Sequence, residues 1–151
     1  MKIKVLFFLF LLSNSLLFSN ELDNKESEYI KQYEVLAKSL SEEFGIPYQV
    51  IMSIALVESG AGSTKLAKQY HNHFGFVGKN PIAKSRYKWY ENDEQSYRDF
   101  CEKMAAKKFY PKLKGNPDYK AWILEISKTG YSAHPKKWRA LLYQSIKRNN
   151  L

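Results

Sequence analysis

The sequence predicts a mainly α-helical fold with one short excursion that forms a loop or a β-hairpin. Apolar residues recur at spacings of three and four along most of the chain, which is the period of amphipathic helices. Glycine, proline and capping residues separate these stretches and mark where helices begin and end. Residues 74–90 break the pattern, because glycine and proline occur there together with β-favouring aromatic residues and valine.

The first 19 residues have the pattern of a secretory signal peptide. Two lysines are followed by an apolar run at residues 5–12, which is too short to span a bilayer, and then by small polar residues. Cleavage after Ser19 fits this pattern, and an uncleaved N-terminal anchor is the alternative. We therefore predict export to the periplasm, the cell envelope or the medium, a flexible leader at residues 20–27, and one domain at residues 28–151.

The stretch at residues 47–62 carries the residue on which a function can be predicted. Residues 50–57 are almost all apolar, Pro47 suits a first helical turn and Gly60 suits a helix end, so we predict a central helix. Glu58 then lies on its last turn, where desolvation and the helix dipole both disfavour the ionised carboxylate and raise its pKa. A carboxyl group that keeps its proton near neutral pH can act as a general acid. The alternative is an ordinary surface glutamate at a frayed helix end.

Five further helices are predicted from capping residues and inward-facing apolar stripes. Their limits are Glu28 to Gly45, Ser63 or Thr64 to about His71, Asn92 to about Lys108, Asp118 to Gly130, and Pro135 to the end of the chain. Asn92 and Gln95 resemble a capping box. Residues 111–117 are predicted to form a loop.

The chain is basic, with a formal net charge of +9 at pH 7, and no acidic side chain follows Glu125. Such a surface attracts polyanions, which for an exported protein are anionic cell-wall polymers or anionic lipid. A basic face that only aids solubility is the alternative reading of this C-terminal region. We predict no nucleic-acid partner, and we expect a monomer.

The three histidines and the one cysteine give no metal-site pattern, since the sequence has neither HExxH spacing nor a Cys/His cluster. We predict no metal and no other cofactor. Cys101 lies on the inner stripe of its helix, so we expect a buried thiol rather than a nucleophile. Trp138 shares helical spacing with Leu141 and Leu142, so we expect it in the core rather than against a sugar ring.

A set of ordered motifs resembles those of a known family. The motifs are Glu58-Ser59-Gly60-Ala61-Gly62-Ser63, Leu66-Ala67, Asn72-His73-Phe74-Gly75, Tyr90 with Glu94-Gln95-Ser96-Tyr97-Arg98-Asp99, Asp118-Tyr119-Lys120-Ala121-Trp122, and Gly130-Tyr131-Ser132-Ala133. Together they resemble the bacterial peptidoglycan endo-β-N-acetylglucosaminidases of glycoside hydrolase family 73. The resemblance extends over about residues 29–151.

The resemblance implies a lysozyme-like α domain with a cleft, and hydrolysis of the bond after N-acetylglucosamine in the glycan strands of peptidoglycan. It implies that Glu58 is the general acid and that Tyr131 lies close to it in the cleft. The residues expected to bind substrate around them are Ser59, Gly60, Asn72, Phe74, Gly75, Phe76 and Trp89.

This sequence departs from the family pattern at two places. Members often carry a second acidic residue after the Phe-Gly pair, whereas residues 76–90 contain none, and glycosidases commonly use two carboxylates. The 2-acetamido group of the substrate could then act as the nucleophile, or Tyr131 could position water or stabilise an oxocarbenium-like state. His134 stands where the family usually has Asp, so we expect a helix cap that is weaker by about 1 kcal/mol.

Two other functions are compatible with the sequence. The missing second carboxylate would suit a module that binds or helps to assemble the cell wall and whose catalysis has decayed. A lytic transglycosylase or a muramidase of related fold would also place a glutamate at the end of a central helix.

Overall fold

The structure, a computed structural model, describes the backbone of residues 2–151 and the side chains of residue 21 and residues 23–151. The helices in this part of the chain are α1 (Lys2–Phe44), α2 (Tyr48–Ser59), α3 (Lys65–Tyr70), α4 (Asp93–Ala105), α5 (Tyr110–Leu113), α6 (Tyr119–Ser127) and α7 (Pro135–Arg148). The predicted signal peptide at residues 1–19 lies outside the residues whose side chains are described. Among the described residues, no helix has both the length and the apolar character that crossing a bilayer requires.

Helix α2 lies at the centre of the fold and packs against α1, α4, α6 and α7. Residues 50–56 are all buried, which explains why this helix is apolar on most sides instead of along one stripe. Pro47 is its N-cap residue, and the carbonyl of Pro47 accepts the first hydrogen bonds of the helix, from the N–H groups of Val50 and Ile51. The predicted central helix is confirmed, and Glu58 lies on its last turn.

Helix α1 begins well before Glu28, where the sequence analysis placed its start. Glu26 is buried, and its carboxylate accepts hydrogen bonds from Arg148 Nε (2.9 Å) and Nη2 (2.6 Å) and from Asn149 Nδ2 (2.7 Å). Residues 21–27, which we expected to form a flexible leader, are helical. Sequence periodicity missed this segment because the stabilising partners come from the end of α7, more than 120 residues away.

The predicted helix caps are confirmed. The side chains of Thr64, Asn92 and Asp118 accept hydrogen bonds from N–H groups in the first turns of α3, α4 and α6. The one-turn helix α5 lies where a loop was predicted at residues 111–117. Pro111 stands near the start of that turn, where its fixed φ favours a helix and its missing N–H costs nothing.

The excursion between α3 and α4 is an irregular loop that contains one antiparallel β-bridge, between Val77 and Tyr87. The buried amide of Asn72 braces the base of this loop. Its Nδ2 donates to the carbonyls of Phe76 (2.9 Å) and Lys88 (2.8 Å), and its Oδ1 accepts from the N–H of Phe76 (3.1 Å). One side chain thus ties the two arms of the loop together and fixes where Phe76 lies.

Candidate active site

A tight left-handed turn holds Glu58 at the end of α2. Gly60 ends the helix with φ of 56°, and Gly62 has φ of 73°, a conformation that glycine adopts without steric cost. Gly62 also lies against the ring of Tyr29, where a Cβ atom would come within 3.1 Å of Cδ2. The hydroxyl of Ser59 accepts a hydrogen bond from the N–H of Gly62 (2.9 Å). The Ser-Gly-x-Gly sequence is therefore needed to turn the chain directly after the acid.

The carboxyl group of Glu58 is half-buried and has one protein donor among the described residues. Trp138 Nε1 donates a hydrogen bond to Glu58 Oε1 (2.7 Å). Burial raises the pKa of Glu58, and the bond from Trp138, which favours the ionised form, acts in the opposite direction and is the smaller effect. The raised pKa that the helix position predicted is therefore present in the folded chain.

Trp138 has a role that the sequence analysis missed. Its burial in the core was predicted and is confirmed, since only 5% of it is exposed. Helical spacing indicated that Trp138 faces inward, but it could not indicate which group lies opposite the indole N–H. A buried tryptophan needs an acceptor for that N–H, and the acceptor here is the candidate acid.

Tyr131 is linked to Glu58 through Trp138. Its ring packs against Trp138 with a centroid distance of 5.3 Å, and against Phe76 at 6.1 Å in a perpendicular arrangement. Its hydroxyl donates to the carbonyl of Phe74 (3.2 Å). Burial, and after it the charge of Glu58, raise the pKa of Tyr131 well above its usual value, so the phenol stays protonated. It can hold a position through its hydrogen bond to Phe74, but it is not an ionised base.

Three of the residues expected to bind substrate do not reach the surface. The exposed fractions of Ser59, Asn72 and Phe74 are 0%, 1% and 2%. Phe74 stacks on Phe100 at 4.5 Å, Asn72 braces the excursion, and Ser59 fixes the turn after Glu58. The polar and aromatic groups of these three are used inside the protein, and their direct contact with substrate stays a prediction.

The other four expected substrate-binding residues retain accessible surface. Gly60 is exposed at the turn after Glu58, while Gly75, Phe76 and Trp89 are half-buried in the excursion. Phe76 and Tyr131 line one cavity of about 300 Å³. Trp89 is not among the residues lining that cavity, and its backbone N–H donates to the carbonyl of Lys79. The roles of these four in binding sugar stay predictions.

A second polar cluster, which the sequence analysis did not find, lies on the α1 side of the turn after Glu58. Asp93 accepts a hydrogen bond from Tyr33 (2.7 Å) and contacts His71 Nδ1 (2.7 Å) and His73 Nε2 (3.0 Å). Tyr29 connects the cluster to His73 Nδ1 (2.7 Å). Burial disfavours the ionised carboxylate, but the contacts from His73, Tyr33 and His71 together outweigh it and hold the pKa of Asp93 well below its usual range. The capping box located Asp93 on a first helical turn, but no spacing linked it to the two histidines.

No group of three His, Cys, Asp or Glu residues within the described part of the chain has the arrangement of a metal site. The predicted burial of Cys101 is confirmed, and burial raises the pKa of its thiol to about 12. A thiol in that state is not a nucleophile near neutral pH.

The family model described as mannosyl-glycoprotein endo-beta-N-acetylglucosaminidase matches residues 34–151, so the chain belongs to this glucosaminidase family. It is accordingly a glycoside hydrolase, which agrees with a half-buried acid at the end of a central helix. A comparison with curated protein sequences gives no significant match.

Several solved structures share the fold. The catalytic domain of the autolysin Auto from Listeria monocytogenes has a TM-score of 0.71 and 16% identity, covering 83% of this chain and 85% of that chain. A C-terminally truncated glycoside hydrolase domain of FlgJ from Salmonella typhimurium gives 0.66 and 15%, covering 83% and 97%. A peptidoglycan hydrolase from Sphingomonas sp. A1 gives 0.60 and 16%, covering 81% and 94%. The predicted mainly α, lysozyme-like fold is confirmed.

Proposed function

We propose that this chain hydrolyses the glycan strands of peptidoglycan after N-acetylglucosamine, with Glu58 as the general acid. The observation that carries the proposal is the half-buried carboxyl group at the end of α2, whose pKa is raised by burial. A carboxyl group in this state can deliver its proton to the leaving glycosidic oxygen. The glucosaminidase family supports the choice of bond, and fold neighbours that are an autolysin and a peptidoglycan hydrolase support the choice of polymer.

In this proposal the nucleophile is the 2-acetamido group of the substrate and not a second carboxylate of the protein. Residues 76–90 carry no acidic side chain, and Asp93 is engaged by Tyr33 and two histidines. The hydroxyl of Tyr131 donates to the Phe74 carbonyl and stays protonated, so it does not act as a base. The 2-acetamido carbonyl oxygen then attacks the anomeric carbon while Glu58 protonates the leaving oxygen, which breaks the glycosidic bond and leaves an oxazolinium ring. Water next attacks the anomeric carbon and gives a proton to the ionised Glu58, which opens the ring and restores the acid. Tyr131 and Trp138 fix the wall along which the sugar lies.

The experiment that tests this proposal is product analysis by mass spectrometry on purified peptidoglycan. Soluble fragments with reducing N-acetylglucosamine ends are expected. Reducing muramic acid ends would indicate a muramidase, and anhydro-muramic ends a lytic transglycosylase; either result contradicts the proposed bond. A thiazoline analogue of N-acetylglucosamine, which mimics the cyclised 2-acetamido intermediate, is expected to inhibit the enzyme.

A binding or assembly module with decayed catalysis is the second candidate, favoured by one observation. The excursion that would supply a second acid has four basic residues (Lys79, Lys84, Arg86 and Lys88) and no acidic one. Sedimentation of the chain with peptidoglycan without any soluble product, under conditions where a related hydrolase releases fragments, would favour this candidate.

Export through residues 1–19 belongs to the same proposal, because peptidoglycan lies outside the cytoplasmic membrane. It is supported by the sequence pattern of those residues. Mass spectrometry of the protein recovered from the envelope fraction gives the N-terminal residue; a chain that retains Met1 would contradict cleavage and favour an anchor. We also predict that the basic C-terminal region attracts anionic polymers or lipid, and that the chain is a monomer. Sedimentation analysis can test both predictions.

A further inference from the structure

A cavity of about 300 Å³ lies between the end of α4, the loop after α6 and the base of the excursion. Two aromatic rings, those of Phe76 and Tyr131, stand perpendicular to each other on one wall. Two lysines four positions apart, Lys103 and Lys107, line it as well. The full lining is Phe76, Lys103, Met104, Ala106, Lys107, Thr129, Gly130 and Tyr131, and none of these is acidic.

The cavity carries an excess of positive charge. Asp99 is the carboxylate next to it, and it is shared between Lys103 Nζ (2.9 Å) and Lys88 Nζ (2.9 Å). One carboxylate therefore faces two ammonium groups. In the part of the chain that the structure describes, none of the ion pairs involves Lys107. An anion that entered the cavity would be attracted by this excess and would find its walls partly removed from solvent.

The cavity is connected to the candidate acid through two aromatic side chains. Tyr131 lines the cavity and packs against Trp138 at 5.3 Å, and Trp138 donates to Glu58 Oε1 at 2.7 Å. A ligand group bound in the cavity would therefore belong to a sugar unit next to the bond that Glu58 protonates. In peptidoglycan every second sugar is a muramic acid, which carries a short peptide stem with free carboxylates.

We propose that this cavity is a subsite for the carboxylates of the peptide stem on the muramic acid unit beside the scissile bond. This inference rests on the proposed function, and it adds that the preferred substrate is glycan that still carries its peptide stems. Lys107, helped by Lys103, binds the carboxylate, and the rings of Phe76 and Tyr131 contact the aliphatic part of the stem. Lys103 itself lies over the Phe76 ring, 5.2 Å from its centroid, which holds the ammonium group against this wall.

The test compares kcat/KM on two substrates, glycan strands with intact stems and the same strands after an amidase has removed the stems. The wild-type chain is expected to prefer the strands with stems by about tenfold, which is the effect of one charge-assisted hydrogen bond. Lys107→Gln is expected to bring this ratio close to one, mainly through a higher KM. The matched control is Lys108→Gln, because Lys108 is its exposed neighbour and does not line the cavity; its ratio should equal that of the wild type.

A third substrate, in which the stem carboxylates are amidated, separates the effect of the carboxylate charge from that of the rest of the stem. It should be cleaved like the stripped strands. An equal ratio in wild type and Lys107→Gln, or an undiminished preference for amidated stems, would overturn the inference and leave the proposed hydrolysis standing. Failure of the wild-type chain to cleave any of the three substrates would instead overturn the proposed function, and the inference with it.

Discussion

Glu58 and Asp93 are both partly buried carboxylic acids at helix ends, but their surroundings differ in two respects. Glu58 lies at the C-terminal end of α2 and, within the described part of the chain, receives one hydrogen bond, from Trp138. Asp93 lies in the first turn of α4 and faces Tyr33, His71 and His73. Burial raises the pKa of Glu58, whereas hydrogen bonds lower that of Asp93 despite its burial.

The comparison shows that the number of donors, and not burial alone, decides which carboxyl group can act as an acid. The partial negative charge at a helix C-terminus adds to the cost of ionising Glu58, while the partial positive charge at a helix N-terminus favours the ionised Asp93. An ionised carboxylate with its acceptor sites occupied has no proton to give. Asp93 is therefore a structural anion, and Glu58 is the group that can donate.

The largest expected effect is the loss of hydrolysis in Glu58→Gln. The amide is nearly the same size, but it cannot deliver a proton to the leaving oxygen, so kcat should fall by about 10²–10⁴-fold. The unfolding midpoint in urea should not decrease, because a neutral group replaces a carboxyl group whose ionisation is opposed by burial. The matched control is Glu42→Gln, an exposed position on α1, which should keep full activity. Fragment release by Glu58→Gln at the wild-type rate would refute the assignment.

For Asp93→Asn we expect lower stability with the reacting group, Glu58, still present. Replacing the carboxylate leaves Tyr33, His71 and His73 with weaker or missing partners, at a cost of about 1–3 kcal/mol in the free energy of unfolding. Urea unfolding measures this difference. A variant as stable as the wild type would show that the hydrogen bonds of Asp93 only balance the cost of burying it.

The pH dependence of this stability difference has a definite sign. The pKa of Asp93 is lower in the folded than in the unfolded chain, where it is about 4. The contribution of Asp93 to the free energy of unfolding is therefore fully present above about pH 4. It is lost as the pH falls further, through the folded pKa. The stability gap between the wild type and Asp93→Asn should therefore be full at pH 7 and should shrink below about pH 4. A gap that grows on acidification would contradict the lowered pKa.

The sequence predicted the position of Glu58 but not the whole of its environment. Local signals were enough for the central helix, the turn at Gly60 and the caps at Thr64, Asn92 and Asp118, because each depends on residues a few positions apart. Contacts between distant elements were missed. These are the bond from Trp138 to Glu58, the Asp93 cluster and the anchoring of Glu26 by the end of α7. Periodicity shows which side of a helix faces inward, but not which atom lies opposite.

A smaller effect is expected when the indole donor to Glu58 is removed by Trp138→Phe. The indole N–H favours the ionised form of Glu58, so its loss should raise the pKa of Glu58 further. A general acid works only when protonated, so the alkaline limb of the kcat/KM profile should move to higher pH. The profile measured between pH 4 and 9 checks the direction, with Trp89→Phe as the control because no hydrogen bond joins Trp89 to Glu58 in the described structure. A shift to lower pH would contradict the role of the indole as a donor to the carboxylate.

The smallest expected effect is that of His134→Asp, which adds an exposed carboxylate at the start of α7. His134 is the N-cap of α7 and makes no side-chain capping bond, so His134→Asp should stabilise the fold by about 1 kcal/mol, as measured by urea unfolding. Because position 134 is exposed, solvent should screen the added charge, and the pH profile of kcat/KM should stay that of the wild type. A clear alkaline shift would mean that remote charge, and not burial with a single donor, sets the pKa of Glu58. An unchanged profile would mean that burial at the end of α2 and the hydrogen bond from Trp138 set the pKa of Glu58.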